Sequence, residues 1–156
     1  MLNLKIKLLS PTAKIPTKAH PTDACFDIYA DILGMEMKEG DTVYDSIVIP
    51  PHETVKIPSG FATEIPSGYW GAIFARSGLA SKQGLRPAQG VPVIDEPYTG
   101  NWIIPLHNDT NVPQTVHHGD RIAQFTLLPY YPTVLTEVTE LAETDRGAGG
   151  FGSTGK

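Results

Sequence analysis

Short runs of β-favouring residues, separated every few positions by glycine or proline, constrain the fold of this chain more than any other feature. The 156-residue sequence contains 15 glycines and 14 prolines, and both are spread along its length. Glycine permits positive φ and proline fixes φ, so combinations such as Pro58-Ser59-Gly60 and Pro66-Ser67-Gly68 predict reversals of the chain. Short strands joined by such turns are typical of an antiparallel sandwich or barrel.

The sequence predicts an all-β chain with one short helix. Runs of valine, isoleucine, threonine and aromatic residues predict strands over residues 4–9, 25–29, 41–49, 52–57, 61–64, 69–75, 101–107, 115–117, 121–129 and 134–138. The helix is predicted over residues 78–83, with Ser77 as its N-cap and Gly84 at its end.

Composition limits the class of ligand and the number of domains. A net charge of −5 opposes binding of long nucleic acid, whereas a small phosphorylated molecule needs only a few cations and backbone N–H groups. A 40% hydrophobic fraction predicts one domain over residues 1–156. No secretory leader or membrane-spanning run is visible, and Cys25, the single cysteine, is expected to fill the core. We therefore expect a soluble, intracellular protein without a membrane partner.

The glycine-rich C-terminal segment, RGAGGFGSTGK, begins at Arg146. It satisfies the G-x-G-x-x-G and G-x-x-x-x-G-K patterns. The chain then ends before the helix of a Rossmann motif or the Ser/Thr of a P-loop, so neither motif is predicted. Its composition indicates a flexible arm. Arg146 suits a phosphate and Phe151 suits stacking on a base, so a nucleotide lid is the alternative interpretation.

Four further segments accompany this tail: DACFDIYA at residues 23–30, ARSGLA at 75–80, VIDEPYTGN at 93–101 and GDRIAQ at 119–124. In order and approximate spacing, the five segments resemble the five motifs of the trimeric dUTPase family. The resemblance implies a jelly-roll-like β-sandwich or barrel, a homotrimer, and active sites at the subunit interfaces. It also implies that residues 142–156 form an arm, exchanged between subunits, that closes over a neighbouring active site.

The same resemblance implies hydrolysis of dUTP to dUMP and pyrophosphate with Mg²⁺, by in-line attack of water on the α-phosphorus. This activity limits uracil incorporation into DNA and supplies dUMP for dTMP synthesis. It implies a cytoplasmic location, or the nucleus or host-cell interior for a eukaryotic or viral source. Asp95 is expected to be the general base and Gln124 to position water and bind phosphate oxygens. Tyr98 would lie beneath the deoxyribose and exclude a 2′-hydroxyl.

For the base, the resemblance implies pairing with main-chain groups around Val93, Ile94 and Ile103, much as with a partner base. Unpaired polar groups in a dry site would then reject cytosine. Gln89 is expected to add an amide contact. The segment over residues 94–100 is predicted to form a hairpin.

For the phosphates, the expected ligands are Arg76, Ser77, Gly78, Gln124, Arg146, Gly152, Ser153 and Thr154, while Phe151 is expected to stack on uracil. On the residues alone, Arg76 could equally form a structural ion pair and Ser77 could be only a helix cap; both roles are compatible with phosphate binding. Asp27 is expected to contact Mg²⁺ through water, since this ion prefers phosphate oxygens and water.

The sequence departs from the family pattern at Cys25, Ala75, Pro92, Pro97, Thr99, Trp102 and Pro105. Pro92 removes a backbone N–H close to the predicted base site. Pro105 stands where the related dCTP deaminases need a glutamate, which disfavours deamination. Two further alternatives are a dUTPase-like regulatory protein that uses the nucleotide as a signal, and a purely structural β-sandwich.

Overall fold

The structure is a computed structural model that describes residues 2–34 and 44–150. Within these residues one helix lies among short strands: β1 (Lys5–Leu8), β2 (Phe26–Tyr29), β3 (Ser46–Ile49), β4 (Thr54–Pro58), β5 (Phe61–Glu64), β6 (Tyr69–Phe74), α1 (Ser77–Gln83), β7 (Leu85–Pro87), β8 (Val93–Ile94), β9 (Ile103–Asn108), β10 (Gln114–His117) and β11 (Arg121–Pro129). The chain is almost all β with a single short helix, as predicted.

The predicted strands 61–64 and 121–129 match β5 and β11 at both ends. The prediction over 134–138 is wrong, because this stretch belongs to no strand. Val134 and Leu135 are 90% and 92% exposed, so no strand among the described residues covers them. The prediction over 41–49 is confirmed only from Ser46, and its first three residues lie outside the described ranges. β7 and β8 escaped prediction because they are very short and border prolines.

A four-stranded antiparallel sheet, in the order β2-β11-β6-β8, carries four of the predicted site residues, which are Asp27, Val93, Ile94 and Gln124. β11 lies between β2 and β6, so Gln124 is opposite Asp27 on one side and Phe74 on the other. On the far side of β6, Gly71 is opposite Ile94 of β8. The other sheets have the orders β4-β9-β7, β1-β5 and β10-β3.

An aromatic cluster fills the core beneath this sheet. Trp102, Phe61 and Phe125 are each at most 1% exposed, and the Trp102 ring meets Phe125 edge-on with 4.8 Å between centroids. A Cβ built on Gly71 would lie 2.8 Å from the Trp102 ring, so β6 reaches this depth only because residue 71 has no side chain. The buried aromatic rings thus fix the level of the sheet that bears the site.

The single helix begins one residue earlier than a Ser77 cap requires. Arg76 is the N-cap, with extended φ and ψ of −81° and 131°, and no side chain caps the helix there. The prediction of Ser77 as N-cap is therefore wrong, because Ser77 already occupies the first helical position. The predicted end is confirmed: Gly84 is left-handed, with φ of 62°, and its N–H bonds to Ala80. No helix in the described ranges is long and apolar enough to span a membrane.

Candidate active site

The first part of the site is a cavity of about 460 Å³ where β2, β11 and the start of α1 meet. Its walls bring together three of the predicted segments, and they include Asp23, Cys25, Asp27, Arg76, Ser77, Gly78, Arg121 and Gln124. The predicted phosphate ligands Arg76, Ser77, Gly78 and Gln124 therefore do converge, and Asp27 lies among them. We call this region the Arg76 cavity.

Asp27 organises the charge of this cavity. Its Oδ1 accepts a hydrogen bond from Arg76 Nε at 2.7 Å, and its Oδ2 accepts one from Arg121 Nη1 at 3.1 Å. The carboxylate is 13% exposed, so the interaction is only partly screened by water. The two guanidinium groups share one carboxylate and keep further N–H donors for an anionic ligand, while Asp23 on the same wall balances the remaining charge.

Gln124 links the cavity to the end of β6. Its Nε2 donates to the carbonyl of Ala75 at 2.9 Å. A primary amide has two N–H donors, so one of them is left to face a phosphate oxygen or a water. The bond to Ala75 also fixes the residue that precedes Arg76, which helps to set the direction of the guanidinium.

Two residues of the cavity differ from expectation. Arg121 was not predicted as a site residue, although it lies inside the GDRIAQ segment that supplied Gln124. Cys25 was expected in the core, but it is half-buried and lines the cavity instead. Burial raises the pKa of the Cys25 thiol, an effect opposed by the positive charge of Lys18 and reinforced by Asp27.

The second part of the site surrounds Asp95. A separate cavity of about 460 Å³ is lined by Trp70, Val93, Asp95, Glu96, Pro97 and Tyr130. Tyr98 donates its N–H to the carbonyl of Asp95 at 3.0 Å, which closes a tight turn. We call residues 95–98 the Asp95 turn.

The segment over residues 94–100 is a turn but not the predicted hairpin. β8 before it pairs with β6, whereas β9 after it pairs with β4 and β7 in another sheet. β8 and β9 do not pair with each other, because each pairs with another strand in its own sheet. The segment is instead closed on itself, since the Tyr98 hydroxyl donates to the carbonyl of Asn101 at 2.9 Å.

The residues predicted to bind the base lie on either side of this segment. Val93 and Ile103 are 57% and 38% exposed, while Ile94 is largely buried. Gln89 is exposed in a turn where Gly90 has φ of +75°. The carbonyl of Pro92 accepts a bond from Ile73 N at 3.1 Å, so this proline is held against β6 even without an N–H of its own.

The two parts of the site are far apart within one chain. Gln124 of β11 is opposite Phe74 of β6. Asp95 follows Ile94 of β8 and is therefore level with Trp70 of β6. The two residues are thus separated by four positions along the strands and by two strand spacings across the sheet. At about 3.4 Å per residue and about 4.8 Å between strands, their Cα atoms are separated by roughly 16 Å. Asp95 therefore does not contact the Arg76 cavity of the same chain, and the two cavities share no lining residue.

In the described range, residues 131–150 line neither of the two cavities. Arg146 is exposed, and its Nε donates to the carbonyl of Gly149 at 3.0 Å. Its structure thus shows a local turn rather than contact with either part of the site. The other predicted arm residues, Phe151, Gly152, Ser153 and Thr154, lie outside the described residues.

Comparison with known proteins identifies the family. A family model described as dUTPase matches residues 11–155 of the chain. The chain belongs to the dUTPase family. A deoxyuridine 5′-triphosphate nucleotidohydrolase of Desulfitobacterium hafniense is 40% identical, with 99% of each chain covered. One of Kluyveromyces lactis is 39% identical, covering 99% of this chain and 95% of the relative.

Solved structures of dUTPases have the same fold. A variant of the Staphylococcus bacteriophage 80alpha dUTPase, determined with dUpNHpp, matches with a TM-score of 0.83 and 28% identity over all of both chains. The dUTPase of phage phi11 of S. aureus, described with a structural Mg(II) ion, matches with a TM-score of 0.72 and 26% identity, covering 89% of this chain and 98% of the other. The predicted family and its jelly-roll-like β fold are confirmed.

Proposed function

We propose that the protein hydrolyses dUTP to dUMP and pyrophosphate, by in-line attack of water on the α-phosphorus. The observation that carries the proposal is the division of the predicted site. A cavity lined by Arg76 and Arg121, with N–H donors suited to a triphosphate, and a separate carboxylate-bearing turn suited to a nucleoside lie on one sheet, in segments that resemble the family's motifs.

The separation of these two parts supports a homotrimer. Asp95 and the Arg76 cavity of one chain lie roughly 16 Å apart, so a complete site needs Asp95 from one copy beside the Arg76 cavity of another. Such a contact joins two different surfaces, and head-to-tail contacts of this kind close into rings when the rotation permits. Three copies are the number expected from the family, and each ring contact then completes one site.

The exposed C-terminal segment supports the exchange of an arm. Tyr131, Val134, Leu135 and Leu141 are 85% to 92% exposed, which is unusual for four large apolar side chains so close in sequence. A neighbouring subunit would cover them. The chain is then a single domain over residues 1–156, and residues 142–156 form the arm that closes over a neighbour's site.

The Asp95 turn recognises the nucleoside and activates water. The Asp95 carboxylate takes the proton of the attacking water. The Tyr98 ring, held by Asn101, leaves no space for a 2′-hydroxyl. Main-chain groups of Val93, Ile94 and Ile103 pair with uracil, and Gln89 adds a side-chain amide contact.

The Arg76 cavity holds the triphosphate. Arg76 and the N–H groups of Ser77 and Gly78 bind oxygens of the α- and β-phosphates, where they stabilise charge on the departing pyrophosphate. Gln124 uses its remaining N–H to bind a phosphate oxygen and position water. When the arm closes, Arg146 binds the γ-phosphate, Phe151 stacks on uracil, and three further residues add N–H or hydroxyl contacts: Gly152, Ser153 and Thr154.

The donor groups of the cavity fit Mg²⁺ bound mainly through the nucleotide. The described residues contain no cluster of three or more His, Cys, Asp or Glu side chains able to hold a metal ion. Both Asp27 oxygens already accept bonds from arginine, but a carboxylate has further lone pairs for a metal-bound water. Asp27 therefore holds Mg²⁺ through water, and the bound ion neutralises charge on the triphosphate.

The reaction limits uracil incorporation into DNA and supplies dUMP for dTMP synthesis. We infer a cytoplasmic location, or the nucleus or host-cell interior for a eukaryotic or viral source, because the substrate pool for DNA synthesis is found there.

The decisive experiment measures pyrophosphate release from dUTP, dCTP, dTTP and UTP with Mg²⁺, for the parent protein and for Asp95→Asn. We expect turnover of dUTP alone and a loss of several orders of magnitude in the variant, because asparagine cannot accept the proton of water. Tight binding of dUTP without turnover in the parent would contradict hydrolysis and favour a regulatory role. Equal rates of pyrophosphate release from the four nucleotides would contradict the proposed specificity for dUTP.

A further inference from the structure

Glu96, the residue that follows Asp95, joins three segments of the chain. Its Oε2 accepts a hydrogen bond from the N–H of Gly68 at 2.8 Å and another from the hydroxyl of Tyr130 at 2.7 Å. Gly68 and Tyr130 are also bonded to each other, since Tyr130 N donates to the carbonyl of Gly68 at 3.0 Å. These three residues form a closed set of hydrogen bonds, which we call the Glu96 clasp.

The clasp connects parts of the molecule that have different tasks. Glu96 belongs to the Asp95 turn, and Gly68 ends the turn that leads into β6. Tyr130 follows the last residue of β11 and is the first residue of the exposed C-terminal segment. A single carboxylate oxygen therefore joins the turn that bears the proposed base to the first residue of the exposed C-terminal segment.

We infer that Glu96 is a positioning residue that holds Asp95 in its reactive place through the Glu96 clasp. The inference rests on the proposed function, because it concerns the placement of the proposed general base. It is specific to geometry: Glu96 acts through its hydrogen bonds to Gly68 and Tyr130, and it does not exchange a proton with the substrate.

Two observations support a geometric role. The other hydrogen bonds of the Asp95 turn are local, from Tyr98 to Asp95 and Asn101, and Asp95 and Pro97 are exposed on either side of the half-buried Glu96. The acceptor bonds also lower the pKa of Glu96, with the Tyr130 hydroxyl as the largest cause and the Gly68 N–H next. The carboxylate is therefore held as a charged acceptor at neutral pH, when its hydrogen bonds are strongest.

Nucleoside binding should depend less on the clasp than the chemical step does. Tyr98 is held by its own bond to Asn101, so the wall beneath the sugar has support independent of Glu96. A small displacement of a general base lowers kcat strongly, because proton transfer requires hydrogen-bond distance. The clasp should therefore affect kcat more than the affinity for a non-hydrolysable nucleotide.

The test uses three variants of the full chain and one control. Glu96→Ala removes both acceptor bonds, and Tyr130→Phe removes only the hydroxyl. Glu96→Gln keeps one carbonyl oxygen, which can accept both bonds as Oε2 does, but it removes the charge. Glu53→Ala is the matched control. It removes a glutamate that lies between a turn and β4, and β4 belongs to a different sheet. The measurements are kcat for dUTP and the Kd for dUpNHpp.

We expect kcat to fall by roughly ten- to a hundredfold in Glu96→Ala and by roughly three- to tenfold in Tyr130→Phe. Glu96→Gln and Glu53→Ala should stay within about threefold of the parent, as should the Kd for dUpNHpp in all variants. An unchanged kcat in Glu96→Ala would overturn the inference. So would equal losses in Glu96→Gln and Glu96→Ala, since that pattern assigns the effect to charge.

The same experiment separates this inference from the proposed function. Turnover in the parent and its loss in Asp95→Asn report on hydrolysis and on the base. With those results in hand, parent-like kcat in the Glu96 and Tyr130 variants would overturn the clasp alone. Absence of dUTP turnover in the parent would overturn the proposed function, and the role assigned to Glu96 would fall with it.

Discussion

Asp27 binds Arg76 through a hydrogen bond of 2.7 Å between Oδ1 and Nε, and its other oxygen binds Arg121. This relationship resolves the two interpretations of Arg76 that its sequence position allows. The guanidinium does form a structural ion pair, and it also lines the cavity that suits a triphosphate. One carboxylate thus aims two cations at the same space.

Asp27→Asn should therefore weaken both stability and turnover. We expect a loss of about 1–3 kcal/mol in unfolding free energy, because a half-buried charge pair leaves its cations unsatisfied when one partner is neutralised. We also expect kcat to fall roughly tenfold as the guanidinium groups lose their orientation. Thermal unfolding at fixed protein concentration and a dUTP assay measure the two effects.

The Lys5–Glu64 ion pair provides the control. Its bond length is 2.8 Å, but its side chains are 68% and 67% exposed. Glu64→Gln should therefore change stability by less than about 0.5 kcal/mol. Equal losses of unfolding free energy in Asp27→Asn and Glu64→Gln would show that burial of the Asp27–Arg76 pair does not increase its contribution to stability.

Removal of residues 146–156 should abolish most activity while leaving the fold intact. The described part of this segment is exposed and makes only local bonds, such as Gly147 N to the Thr144 carbonyl at 3.0 Å. We expect at least a hundredfold loss in kcat/KM, since the lid and Arg146 are missing, and a thermal midpoint within about 1 °C of the parent. Full activity of the shortened chain would contradict the role of the arm.

Gly71→Ala should destabilise the protein without touching the ligand. The added Cβ would meet the Trp102 ring at 2.8 Å and the Ile94 Cβ at 3.1 Å. Overpacking of this kind costs about 1–3 kcal/mol, because β6 or the ring must shift. Gly150→Ala is the control, since no atom lies within 4 Å of its added Cβ. A parent-like thermal midpoint in Gly71→Ala would contradict the prediction, because it would mean that Trp102 and Ile94 can shift without loss of stability.

The ratio of kcat between the parent and Glu96→Ala should be constant across neutral pH. The Tyr130 hydroxyl, followed by the Gly68 N–H, lowers the pKa of Glu96, so the charged form of the clasp is fully present above the ordinary glutamate pKa and is neutralised only as pH falls through the lowered value. The bond to Glu96 raises the pKa of Tyr130, so the hydroxyl remains a donor below its ordinary pKa.

Kinetics from about pH 5.5 to about pH 9 test this expectation, since that range lies between the ordinary pKa values of glutamate and tyrosine. Glu53→Ala serves as the reference for general effects of acid and base. If the ratio of kcat between the parent and Glu96→Ala declined towards one near pH 7, Glu96 would titrate above its ordinary pKa. That result would contradict Tyr130 and Gly68 as the donors that lower it.

Local sequence signals predicted much of the fold because they act over a few residues. Gly60 and Gly68 have φ of +73° and +83°, and each ends a predicted turn that only a permissive residue completes without strain. Strands β5 and β11 match their predictions at both ends, since turns border each run of β-favouring residues. The order of the five motifs was likewise sufficient to indicate the family.

Pairing partners and side-chain contacts required the tertiary structure, because they join residues far apart in the chain. Residues 134–138 have the composition of a strand but pair with no strand in the part of the chain that the structure describes. The segment around Asp95 looks like a hairpin, yet β8 pairs with β6 and β9 pairs with β4 and β7. Contacts between Asp27 and Arg121, or between Glu96 and Tyr130, follow from strand register and the path of the chain, which local propensity does not encode. The sequence by itself therefore determined which residues turn, which extend and which family they indicate. The tertiary structure decided which of them meet, and it placed Asp95 and Gln124 in two separate cavities of one chain.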